Sequence, residues 1–175
     1  TSDFGWSVVG NPVAAGIDFS NTTEVALTNM EPAYYIWRPE DGNYATWHRT
    51  SGSTPGGVLN GTIAPMQGFL VKANDASPVL TINRAARISA STGAQFRTSN
   101  ITDRMYIKVR HTGDNRSDET MLAAAPLATE NFESDFDALK AGTMSTTAYS
   151  ISTRSADNRQ LAINVLPDFA ANITV

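Results

Sequence analysis

Aromatic side chains recur at short spacing in the first third of the chain: Trp6, Tyr34, Tyr35, Trp37, Tyr44 and Trp47. Flat aromatic faces stack on sugar rings and bury area at little entropic cost, so the grouping fits a glycan-binding surface. Trp47 runs through His48 and Arg49 into a Gly-rich loop, and Trp37, Tyr44 and Trp47 form the candidate ligand-binding set. The competing reading is core packing, because aromatics dominate cores and favour strands. A second grouping is acidic. Asp114, Asp118 and Glu119 lie in a turn-rich segment, and turns can offer carboxylates with backbone carbonyls to calcium, which takes about six to eight oxygens. A structural calcium is the candidate cofactor, although the spacing departs from the Asp-x-Asp-x-Asp-Gly loop of an EF-hand. The competing reading is a solvated turn.

Catalytic chemistry finds less to work with, and no catalytic residue is assigned. The histidines are His48 and His111, neither near a Gly-x-Ser-x-Gly elbow, and nucleophilic hydrolysis needs an oriented base. Zinc lacks cysteines and any His-x-x-x-His pair. A glycosidase asks only for two carboxyls flanking a cleft, so a glycan-active enzyme stays behind the non-catalytic readings as an alternative.

The elements that must position these residues read as strands. Short β-favouring runs separated by turn residues recur along the chain with little helical periodicity, the pattern of an antiparallel β-sandwich, jelly-roll-like, with at most one or two short helices. A hairpin is predicted over 33–38 and 43–49, its turn Pro39-Glu40-Asp41-Gly42 supplying an early proline and a positive φ at Asp-Gly. Alternation puts Tyr35 and Trp37 on one face and Tyr34 and Ile36 on the other. Further strands are predicted over 67–72, 79–83, 104–110, 119–125, 148–152 and 160–165. In the 104–110 strand Met105, Ile107 and Val109 alternate with Arg104, Tyr106, Lys108 and Arg110, which marks a half-exposed strand that anchors one core layer. Gly and Pro between Thr50 and Gly61 predict a mobile loop. A one-to-two-turn helix is predicted over 134–141, with Phe136 and Leu139 packing i, i+3, Gly142 as its stop, and acids from Glu133 to Asp137 in or before its first turn.

Composition bounds the rest. At 175 residues the chain suits one β-sandwich domain over 1–175, and the closing Asn172-Ile173-Thr174-Val175 reads as the start of a further strand, as in a piece of a longer protein. Hydrophobic residues at 41% can build a core, while only 17% charged residues leave a surface of Ser, Thr, Asn and Gly. A net charge of −4 with no basic block argues against nucleic acid. Zero cysteines exclude a disulfide framework. No apolar run approaches the ~20 residues of a transmembrane helix, and the first residues lack the order of a signal peptide.

Several blocks, in this order, resemble a β-rich region of large exported Bacteroidetes-type proteins that stands upstream of a type IX secretion C-terminal sorting domain. They are Gly5-Trp6-Ser7-Val8-Val9-Gly10-Asn11-Pro12, Tyr35-Ile36-Trp37, 63–72 (Ile-Ala-Pro-Met-Gln-Gly-Phe-Leu-Val-Lys), Asp118-Glu119-Thr120, Phe136-Asp137-Ala138-Leu139-Lys140 and Leu161-Ala162-Ile163-Asn164. The family often continues Gly-Asn-Pro with Tyr-Pro, where this chain has Val13-Ala14. The resemblance implies a secreted or outer-surface location and, as partners, neighbouring domains of the parent protein and a polysaccharide or cell-surface glycan. The function expected is a non-catalytic accessory module, glycan-binding or adhesin-like, with a purely structural spacer as the alternative.

Overall fold

The computed structural model describes residues 5–39, 41–53, 59–89, 101, 103–114, 116–142 and 148–169. Within them the chain runs through β1 (Trp6–Gly10), β2 (Gly16–Asp18), β3 (Val25–Thr28), β4 (Ala33–Arg38), β5 (Asn43–His48), β6 (Gly52–Ser53), β7 (Thr62–Ile63) and β8 (Gly68–Lys72). It continues through β9 (Val79–Ile82), a 3-10 turn at Arg84–Ala86, β10 (Arg87–Ile88), β11 (Arg104–Arg110), β12 (Ser117–Ala124), β13 (Ala138–Leu139), β14 (Thr153–Arg154) and β15 (Gln160–Leu166). The fold is all-β, as the alternation predicts. No helix among the described residues is long and apolar enough to cross a membrane.

A central sheet, β1-β8-β4-β5-β6, is covered on both faces. Adjacent residues of a strand point to opposite sides, yet Tyr34 and Tyr35 of β4 are both 0% exposed. Tyr34, Ala45, Trp47, Phe69 and Val71 pack with Ile17, Phe19, Val25 and Ile63 from the small sheets β10-β2-β7 and β3-β9 and their connections. Tyr35 packs instead with Met121, Ala123, Ile163 and Val165 of the sheet β11-β12-β15-β13, with Trp6, Tyr44 and Leu70 against the same cluster. The chain thus stacks its second half on the far side of the sheet built by its first half.

The predicted hairpin forms in register, from Arg38 opposite Asn43 to Ala33 opposite His48. Gly42 takes φ 68°, and its N–H donates to the Arg38 carbonyl at 2.9 Å. The 50–61 loop contributes β6, paired with Trp47 and His48, and its residues 54–58 lie outside the described residues, as does the predicted strand start over 172–175.

Three expectations are corrected. The 134–141 helix does not form. The Phe136 and Asp137 N–H groups donate to the Glu133 carbonyl at 3.0 and 2.8 Å, but this single turn is not continued. Asp137 accepts the N–H groups of Glu133 (2.8 Å) and Val165 (2.7 Å) on its carboxylate, and Ala138 and Leu139 pair with β15. A side-chain acceptor has outcompeted helical propagation. No strand runs over 148–152, where the Ile151 N–H donates to the Asp118 carboxylate at 2.7 Å rather than to a ladder; β14 follows at Thr153. Strand β11 does not anchor a core layer: it is the edge of its sheet and none of its residues is buried. The sheets are antiparallel as expected, with one exception: β12 and β15 pair in parallel, a geometry that requires the long crossover between them.

Candidate functional site

The aromatic set divides between the two faces. Trp47 is 6% exposed and lies in the core, 5.3 Å from Tyr34 and 6.2 Å from Phe19 between ring centroids. Gly61 beneath it has φ +85°, and a Cβ there would come within 2.8 Å of the indole. Trp47 therefore cannot serve as a stacking platform, which corrects its place in the ligand-binding set. Its position on β5 puts it one residue out of phase with the solvent-reaching ring of Tyr44. Trp37 and Tyr44 lie directly opposite one another, half-buried, edge to face at 5.0 Å and 64°. Burial raises the Tyr44 phenol above its ordinary value, so it stays protonated at neutral pH.

This pair stands where two hairpin tips meet. Asn43 donates from its side-chain amide to the carbonyls of Ser117 (3.3 Å) and Tyr149 (2.9 Å), and Ser117 Oγ donates to Asp41 Oδ1 at 2.9 Å. A shallow, open cleft of about 20 Å³ results, with Arg38, Asp41 and Tyr44 on one side and Ser117, Asp118 and Glu119 on the other. Arg38 pairs with Asp41 at 3.0 Å. An aromatic edge beside hydroxyl, carboxylate and guanidinium groups can pack one face of a sugar ring and hydrogen-bond its hydroxyls.

The candidate calcium ligands do not converge. Asp118 is buried, pairs with Lys140 Nζ at 2.7 Å, and through that contact meets a lysine whose pKa burial pushes down. Glu119, next along the strand and so directed to the other face, pairs with Lys108 at 2.5 Å. Asp114 is held by the Arg116 guanidinium, whose hydrogen bonds bring its carboxyl down to about 2, while His111 Nδ1, 3.2 Å from that carboxylate, accepts the Gly113 N–H. Among the described residues no three histidine, aspartate or glutamate side chains group as metal ligands.

His48, the other residue singled out near the loop, is fully buried. Its Nε2 lies 2.9 Å from the Ser134 carbonyl, and Nδ1 accepts the N–H groups of Thr50 (3.2 Å) and Ser51 (3.3 Å). That pattern assigns a neutral ring with the proton on Nε2, and burial takes its pKa down to about 4. On the same sheet face, Glu31 Oε1 lies 3.6 Å from Lys72 Nζ while Oε2 has no hydrogen-bond partner among the described residues; the Tyr35 hydroxyl is likewise unpartnered. Burial outweighs the Lys72 charge and raises Glu31 to about 7.

Sequence reasoning missed Arg38, Asp41, Asn43, Ser117 and Tyr149 as a unit. Asp41-Gly42-Asn43 carries a clear turn signal, but the contact that makes it a cleft wall reaches from Asn43 to Ser117 and Tyr149, far along the chain. In comparisons with known proteins, no family model, no curated protein and no solved structure matches this chain.

Proposed function

We propose that the chain is a non-catalytic accessory module of an exported bacterial protein and that it binds a glycan in the cleft between the two hairpin tips. The observation that carries the reading is the half-buried Trp37–Tyr44 pair beside a shallow cleft of about 20 Å³ lined by carboxylate, hydroxyl and guanidinium side chains, since carbohydrate sites combine an aromatic surface with a few placed polar groups. Tyr44 supplies the ring, Trp37 braces it, and Asp41, Ser117 and Glu119 supply acceptors for sugar hydroxyls. The resemblance to exported β-rich regions supports secretion or surface display and neighbouring domains as further partners.

The test is tryptophan emission during titration with a panel of soluble polysaccharides. Trp47 is buried in the core, so a saturable change reports on Trp37 or Trp6 and disappears in a Tyr44→Ala variant that still melts cooperatively. A chain whose emission responds to no polysaccharide is a structural spacer, the reading favoured by the complete burial of Tyr34, Tyr35 and Trp47.

A further inference from the structure

We propose that the ligand of this cleft is an uncharged glycan and that the exposed ring of Tyr149 is a second contact for it. The inference rests on the glycan reading and adds the charge class of the ligand and one residue. Tyr149 is 48% exposed, and its ring stacks on His111 at 5.3 Å with 16° between the planes. Its backbone carbonyl accepts the Asn43 amide at 2.9 Å, so the segment carrying it is fastened to the cleft wall. A flat ring already held on one side by a stacked neighbour loses little freedom when a ligand covers the other.

The charge class follows from the pairing of the three carboxylates that line the cleft. Arg38 faces Asp41 at 3.0 Å, Lys108 faces Glu119 at 2.5 Å, and Lys140 faces Asp118 at 2.7 Å. A uronate or sulfate would have to displace one of these carboxylates from its cation and then sit beside it, and like charges in a partly desolvated site repel. Sugar hydroxyls meet no such obstacle, because carboxylates and the Ser117 hydroxyl accept hydrogen bonds from them without giving up their own partners.

The experiment is calorimetric titration of the whole chain with matched neutral and anionic polymers at physiological salt: a β-glucan and a mannan against polygalacturonate and alginate. A neutral polymer is expected to bind saturably, at least about tenfold more tightly than either anionic one. Tyr149→Ala is expected to weaken that binding about tenfold, and Tyr149→Phe, which keeps the stacking ring, about twofold at most. Anionic polymers binding as tightly as neutral ones overturn the charge class and leave the glycan reading standing. Undiminished binding by a folded Tyr149→Ala overturns the role of that ring. If Tyr149→Ala lowers the melting temperature, His111→Ala replaces it, and full affinity after loss of the ring's support counts against the proposal in the same way. No saturation with any polymer of either charge removes the glycan reading itself.

Discussion

The two faces of the central sheet carry similar aromatic residues and put them to different uses. On one face Tyr34, Trp47, Phe19 and Phe69 pack ring against ring, and the Tyr34 hydroxyl is satisfied by the Thr62 carbonyl at 3.3 Å. On the other, Tyr35 packs edge-on against Trp6 at 4.8 Å, but its hydroxyl and Glu31 Oε2 find no partner among the described residues, and His48 lies buried and neutral nearby along the strand pair. That second face ends in the half-buried Trp37–Tyr44 pair at the cleft. The first face packs its rings against one another, and the second ends at the cleft where the proposed glycan would bind. Alternation of side chains along β4 and β5 is enough to produce both from one hairpin.

Substitutions can break this contrast, and the largest effect is expected on the first face. Trp47→Ala leaves a cavity against Phe19, Tyr34 and Gly61, and urea unfolding should show a loss of about 3–5 kcal/mol. A loss below about 1 kcal/mol would mean that the face is not the packed layer described.

The next effects are in the pH profile and belong to the second face. His48 protonates near 6.5 when unfolded and near 4 when folded, so the unfolded chain takes up the proton first as pH falls. Stability should drop between those values by on the order of 3 kcal/mol, and the His48 ring protons in an NMR titration should stay at neutral-form shifts down to about pH 4. A midpoint near 6.5 would contradict the buried ring. Glu31 works in the opposite direction. Raised from 4.5 to about 7, it favours folding below 4.5 and gives that advantage up as pH rises to 7. Glu31→Gln should remove this part of the slope, seen as a smaller fall in unfolding free energy between those two pH values.

The smallest effect sharpens the comparison atom by atom. Tyr35→Phe removes an unpartnered hydroxyl and should be neutral or stabilise by up to about 1 kcal/mol, whereas Tyr34→Phe gives up a hydrogen bond and should cost about 0.5–1.5 kcal/mol. Equal losses for the two would erase the distinction between the faces.

Much of the fold was legible because it depends on local patterns. The hairpin formed with its Asp-Gly turn, and the 104–110 run is β11 with both predicted ends. Alternation also separated Tyr34 from Tyr35 correctly, but it cannot say whether one or both faces are covered, and here both are. The 134–141 segment misled because Phe136 and Leu139 have helical spacing, while the deciding bonds run from Asp137 to the Val165 N–H, beyond any local window. The candidate site was legible in part. Tyr44, Trp37, Asp118 and Glu119 were singled out and three of them line the cleft, but as members of separate aromatic and calcium groups. Trp47 fell on the buried side, and Arg38, Asp41 and Ser117 became visible only once the two hairpin tips met.

The proposed glycan site makes Tyr44, and not Trp47, the ligand-facing ring of the hairpin. The direct measurement is tryptophan emission of the intact chain and of Tyr44→Ala over a titration with neutral polysaccharides, each followed by a melting curve. A saturable change is expected in the intact chain and is lost in the variant, whose melting curve still shows a cooperative transition. A saturable change of the same size and midpoint in Tyr44→Ala would contradict it.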